Sequence, residues 1–431
     1  MRDEVHTPGI RRGRSKTFVH LHRHTVARTV ARTVARTVAG CAEGTLCAMP
    51  DVVVVGGGIL GAACAHDLSA RGRSVVLVER GELAAGASGR NHGLMLSPQD
   101  PRLAPMFAAS LDVYRSASAD PPVPFSMDDD PIGFLIVAGD DEERFAGRQE
   151  AEAIAAEGVG LERLDAAGVR EAEPGLADDI DEGWLLDDGR RLDPAALTVS
   201  LALASGAEVR RHLAVRSLLT RGDRVIGVST DAGPIEADEV VVAAGPWTPP
   251  LVRPLGISLP VVGARGWLVH LLPARPPVRR LVERAGWHAV GGEEELSRLD
   301  ASAFVDGMPP PDVGTLLQPS PDGTMLVGGS RQRAVTSEPE DPGMPRELLR
   351  RAVALVPSLA EASVLSAWWG LRPVTPDGLP LVGRLADGLI VATGHGSQGV
   401  ILGGGTARLV GALLDREPPP FDPAPFAPAR G

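Results

Sequence analysis

The feature that most constrains the fold is the run DVVVVGGGILG at residues 51–61. Its four consecutive valines suit a strand buried on both faces, the environment of a parallel sheet. Gly56, Gly58 and Gly61 follow in G-x-G-x-x-G spacing, then a helical run at 62–70 and a second strand at 74–79. Gly56 permits a tight turn, Gly58 lets the backbone approach a pyrophosphate, and Gly61 lets helix and strand pack closely. Ile59 and Leu60 belong to the same turn, where helix amides and a positive dipole end favour an anion. Glu79 ends the second strand, where a carboxylate can accept hydrogen bonds from a ribose. Together these residues predict a βαβ unit that binds a dinucleotide. Arg80, next in line, is too little to argue for a 2′-phosphate.

Composition removes several alternatives. The 431 residues are 44% hydrophobic and 23% charged, as in a folded protein of two or three domains rather than a disordered chain, collagen or coiled coil. No run of 18 apolar residues is present, so no spanning helix is expected. Cys41, Cys47 and Cys64 make neither a disulfide framework nor a metal spacing, which reads as a reducing, cytoplasmic compartment and no metal site. The net charge is −12, yet residues 1–48 hold nine basic side chains against three acidic ones, so the remainder is strongly acidic. An acidic body argues against a nucleic-acid partner. Residues 25–40 repeat TVAR, and the segment 1–48 reads as a low-complexity basic extension. Met49 stands directly before the first strand, and translation is expected to begin there. Lys16, in that extension, is the only lysine of the chain.

Further segments enlarge the dinucleotide reading. Residues 81–95, GELAAGASGRNHGLM, are too polar and Gly-rich for the usual continuation of a simple NAD domain. They suit a larger cofactor, with Ser88, Arg90 and Asn91 toward phosphate or ring edges and His92 beside the ring; the alternative is a solvated loop. Residues 389–400 again run strand, glycine turn, helix start, an arrangement whose amides and positive dipole end stabilise a negative charge. Arg372 carries a planar fork that pairs bidentately with a carboxylate. With DEVVVAAGPW at 238–247, AWWGLRPVTPDGLPLVG at 367–383 and TGHGSQGV at 393–400, the chain resembles the FAD-dependent D-amino-acid oxidase, glycine oxidase and sarcosine oxidase superfamily. The resemblance spans nearly all of 49–431. It implies FAD contacts from Val215, Ala244, Gly245, Trp247 and Gly370, and from Gly396, Ser397, Gln398, Gly399 and Val400 at the flavin ring. It also implies that Arg372 clamps the α-carboxylate of an amino acid, while His395 is either a structural histidine or a flavin or substrate contact. No side-chain base is required if the bound amine is neutral.

The expected fold is α/β: a discontinuous Rossmann-like FAD-binding domain (49–125, 192–250, 362–431) with an α+β substrate domain on a mixed or antiparallel sheet (126–191, 251–361). Segments 264–272, 314–319 and 323–330 read as strands over the ring, with Trp267 and Gln318 as pocket candidates. Helices are expected at 103–117, 140–156, 193–204 and 346–356, and an extended proline-rich tail at 417–430. The expected activity is oxidation of the CH–NH bond of a D-amino acid, glycine or N-alkyl glycine to an imine, with oxygen or another electron acceptor. Two alternatives stay open: the same chemistry on a secondary amine of a larger intermediate, and a catalytically silent FAD scaffold. The chain also departs from the family. Tyr114, on a predicted helix, is its only tyrosine; the body has no lysine beside the flavin and no cysteine near Gly370, so FAD is expected to be non-covalent.

Overall fold

The structure is a computed structural model that describes residues 49–286, 312–333 and 343–430; the basic extension and its TVAR repeat lie outside these residues. Strand β1 (Val52–Val55) is buried throughout, turns into α1 (Ile59–Ala70) and returns as β2 (Val75–Val78), also fully buried. Next come α2 (Ala104–Ser118), β3 (Phe134–Ala138), α3 (Asp141–Ala155), β4 (Leu161–Asp165), β5 (Glu182–Leu186), α4 (Pro194–Ala204) and β6 (Glu208–Arg210). Asp140 and Asp193 cap α3 and α4 with their carboxylates, as their places before helical runs predict. The chain continues through β7 (Glu239–Val242), β8 (Val262–Leu272), β9 (Leu281–Arg284), β10 (Asp312–Pro319), β11 (Met325–Arg333) and α5 (Met344–Leu355). It ends with β12 (Ser363–Val374), β13 (Leu381–Ala386), β14 (Leu389–Thr393) and α6 (Gly399–Asp415).

Two sheets organise these elements. The first has the order β13-β14-β7-β1-β2-β6, parallel except for β13. A three-stranded sheet (Val215–Arg221, Arg224–Thr230, Gly233–Glu236) contributes Val225, Val228 and Ile235 to the core that also holds Val53, Val76 and Val240. Helix α6 crosses α2 closely because a side chain is missing there. A Cβ on Gly404 would stand 2.9 Å from the Ser110 Cα. Cys64 is packed inside α1, and burial pushes its thiol pKa up.

The second sheet has the order β12-β8-β11-β10-β9-β3-β5-β4 and is antiparallel except for β9 against β3. One face packs Trp267, Val269, Val282 and Leu317 against Leu348 and Ala352 of α5. The other face sets Phe134, Leu281 and Leu316 against Ala151 and Ile154 of α3. Strand β12 pairs along the whole of β8, so Arg372 stands on this sheet. The proline-rich tail departs from an extended course: a short turn at Ala424–Phe426 buries Phe426, and Arg430 pairs with Asp377 at 2.8 Å. Among the described residues no helix is long and apolar enough to cross a membrane.

Candidate active site

A cleft of about 1210 Å³ brings together the three sequence segments that carry the glycine turns and Arg372. Its first wall is the turn after β1. Gly56 has φ +112°, and a Cβ there would lie 2.5 Å from the Ala243 carbonyl oxygen. A Cβ on Gly58 would meet Ser88 Oγ at 2.9 Å, so glycine here lets Ser88 approach the turn closely. Neither α1 nor α6 receives a side-chain cap from its N-cap residue, Gly58 and Gln398. Ser88 Oγ accepts instead from the Ile59 amide at 2.9 Å. Leu60, Glu79 and Arg80 also line this wall. Glu79 has a task that the motif did not reveal: its carboxylate accepts from the Gly57 and Gly81 amides, each at 2.7 Å, and so stitches the turn closed. Arg80 stacks its guanidinium 3.8 Å from the Trp247 ring, and Val215, Ala244 and Gly245 continue the wall.

The loop after β2 is braced from within. Asn91 donates to the Ala87 and Ser88 carbonyls and accepts from the Gly93 amide. Arg90 donates to the Ala85 carbonyl at 2.7 Å and to the Trp369 carbonyl at 3.1 Å. Both residues line the cleft, and these bonds hold the loop in shape. The loop lies over Gly370, where a Cβ would be 3.1 Å from Arg90 Cβ.

The second glycine turn forms the opposite wall. Gly394 and Gly396 have φ of +77° and +53°, and Gly396, Ser397, Gln398, Gly399 and Val400 face the cleft. His395 is 1% exposed and its Nε2 meets Thr406 Oγ1 at 2.9 Å, so the ring anchors the turn to α6. Burial lowers its pKa to about 3, and the ring is neutral near pH 7. His395 also lines the cleft, so the Thr406 bond gives it a structural role without removing the contact reading. Tyr114, fully buried, donates to the Val400 carbonyl at 2.6 Å and holds the start of α6. Thr393 Oγ1 donates to the Gly245 carbonyl at 3.0 Å, tying the β14 turn to the β7 turn.

The floor is the eight-stranded sheet. Arg372 Nη1 donates to the Ser330 carbonyl at 3.0 Å, and its guanidinium lies over Gly266, where a methyl would collide with it. His92 packs over Gly328, its Nε2 buried with no hydrogen-bond partner among the described residues. Burial, then the Arg372 charge, lower the His92 pKa to about 3. Gln318 Nε2 donates to the His92 carbonyl at 2.8 Å. The expectation for Trp267 is not met: Gly266 and Leu268 line the cleft, and alternation turns Trp267 into the core on the opposite face. Sequence reading missed Gln99, Glu150, Glu283 and Arg331, which also line the cleft. They belong to no motif and stand far apart along the chain.

Known proteins share this architecture. The family model for FAD dependent oxidoreductases, DAO, matches residues 51–413. A glycine oxidase of Pseudomonas aeruginosa is 30% identical over 391 residues, covering 88% of this chain and 98% of that protein. A D-amino acid dehydrogenase of Cereibacter sphaeroides is 34% identical over 289 residues, 65% of this chain and 60% of the other. The crystal structure of glycine oxidase from Geobacillus kaustophilus matches with a TM-score of 0.77 at 25% identity, over 89% of this chain and 99% of that one. L-proline dehydrogenase from P. horikoshii, at 20% identity and a TM-score of 0.74, shares the fold over 89% of this chain and 97% of its own. The fold thus has counterparts among solved structures, and the chain belongs to the DAO family of FAD-dependent oxidoreductases.

Proposed function

We propose that the protein oxidises the CH–NH bond of a D-amino acid, glycine or N-alkyl glycine to the imine, which water then hydrolyses. One observation carries the reading: Arg372 presents its guanidinium in the same cleft as both glycine turns. The residues present fit FAD, since Gly56, Gly58, Gly370 and Gly396 line the cleft without side chains and neither helix N-cap residue caps with its side chain. The pyrophosphate would rest on the start of α1 and the flavin pyrimidine edge on the start of α6. When bound, FAD supplies the two-electron acceptor for the substrate hydride. Attachment is non-covalent in this reading, as no cysteine or lysine lines the cleft among the described residues. Arg372 pairs with the substrate carboxylate and fixes the α-carbon, which contributes through orientation rather than proton transfer. Neutral His92 and His395 add no positive charge against the incoming amine. In the same reading the parallel sheet and its glycine turns belong to the FAD-binding domain, and the eight-stranded sheet belongs to the substrate domain.

Anaerobic mixing of the yellow holoenzyme with glycine, D-alanine and N-methylglycine tests the proposal. Bleaching of the flavin is expected, with Arg372→Ala slower by about 10²-fold or more at limiting substrate. An unchanged rate in that variant overturns the clamp. A flavin that no amine bleaches overturns the enzyme reading in favour of a scaffold. Repeating the reaction in air with peroxide detection shows whether oxygen accepts the electrons.

A further inference from the structure

Strand β12 ends at Val374, two residues after Arg372, and the loop 375–380 leads from it to β13. Asp377 and Gly378 of this loop line the same cleft as Arg372. The loop is fastened once to the second glycine turn. Thr375, fully buried, donates to the Leu379 carbonyl at 2.7 Å and packs where a Cβ on Gly394 would stand. It is fastened again by the segment that follows α6. Phe426 is fully buried there, and Pro428 packs on Gly383 of β13, which brings Arg430 to the loop. Arg430 Nε and Nη2 donate to the two Asp377 carboxylate oxygens at 2.8 and 3.1 Å. Nη2 also donates to the Leu379 carbonyl at 2.7 Å, and Nη1 donates to those of Pro380 and Ala427 at 2.9 and 3.3 Å. Every N–H of the guanidinium is thereby used. The Arg430 side chain is 16% exposed, so salt screens this pair less than one in open solvent.

The pair also sets the charge of the cleft wall. Asp100 lines the cleft as well, and Asp377 acts on it as a like charge. Asp100 is held by Arg102, whose Nη2 donates to it at 2.5 Å. Burial raises the Asp377 pKa, yet the Arg430 and Leu379 hydrogen bonds bring it below the ordinary carboxylate value, so Asp377 is ionised near pH 7. Asp100, Asp377, Arg102 and Arg430 therefore sum to zero. Without Arg430 the four keep one net negative charge. That charge repels a substrate carboxylate and competes with it for the Arg372 guanidinium.

Resting on the amino-acid oxidation above, we propose that Arg430 is a positioning residue for the substrate: it neutralises Asp377 on the cleft wall, so that the cleft accepts an anionic amino acid. Calorimetry of propanoate binding to the yellow holoenzyme tests this without turnover. Arg430→Gln keeps amide donors for the loop carbonyls but removes the charge, and it weakens propanoate binding about fivefold or more. Asp377→Asn leaves the Arg430 charge unopposed, so binding tightens or stays as it was. The double variant returns to within about twofold of the original Kd. In anaerobic flavin reduction by an amino acid, Arg430→Gln raises KM by a larger factor than it lowers kcat. Should Arg430→Gln fail to fold, Arg430→Lys takes its place: it keeps the charge without the fork and stays within about threefold of the original Kd. Weaker binding in both Arg430→Gln and Asp377→Asn, or a double variant as weak as Arg430→Gln, reveals a brace without an electrostatic role and overturns the inference. Normal propanoate binding by Arg430→Gln, or a larger loss in Arg430→Lys, also overturns it. If no amine bleaches the flavin, the proposed reaction fails, while the propanoate series still decides the role of Arg430.

Discussion

At the end of the six-stranded sheet the cleft is walled by backbone: glycines at 56, 58 and 396, and two helix starts with no N-cap side chain. On the eight-stranded sheet it is floored by side chains, with Arg372, His92 and Glu283 set on or over separate strands of that sheet. The backbone wall suits a constant partner, because amides and dipoles recognise phosphate in any protein that makes the turn. The side-chain floor suits a variable partner, because one substitution there changes what is recognised and leaves the strand hydrogen bonds intact.

The largest test of this contrast falls on the backbone wall. A methyl on Gly61 would run into the Gly56 carbonyl oxygen, with no flexible side chain to yield. Gly61→Ala is expected to abolish flavin uptake or folding, read as the flavin-to-protein absorbance ratio of soluble material. A normally yellow Gly61→Ala protein breaks the backbone account. On the floor, Gly266→Ala places its methyl against the Arg372 guanidinium, which can swing aside. That variant is expected to stay yellow and to lose about 10²-fold in kcat/KM, the cost of a misplaced positioning group. If both glycine variants lose flavin alike, the two regions do not differ as described. The smallest effect sharpens the comparison. Glu79→Gln leaves one of the amides of Gly57 and Gly81 without its acceptor and should lower unfolding free energy in urea by about 1–3 kcal/mol. No stability loss would mean that Glu79 serves the ribose alone.

Legibility in the sequence followed the same divide. The βαβ unit, both glycine turns and the caps at Asp140 and Asp193 were readable because each is local: neighbouring residues set it. Trp267 was misread because a strand residue's face is decided by which side of the sheet the core takes. The bonds that tie Asn91 and Arg90 to nearby carbonyls were not legible, because side-chain type does not show which partners a folded loop supplies. Glu150, Glu283 and Arg331 were invisible, one on a helix and two on separate strands with no shared spacing.

By itself the sequence determined an α/β chain with a dinucleotide-binding βαβ unit and an arginine in a Gly- and Pro-rich segment, since turn geometry and burial on both strand faces depend on residues within a few positions of one another. Tertiary structure alone decided that Arg372, His92 and the buried carboxyl pair share one cleft. Pairing of β8, β9, β10, β11 and β12 sets that neighbourhood, and strand pairing at long range is written in no single segment.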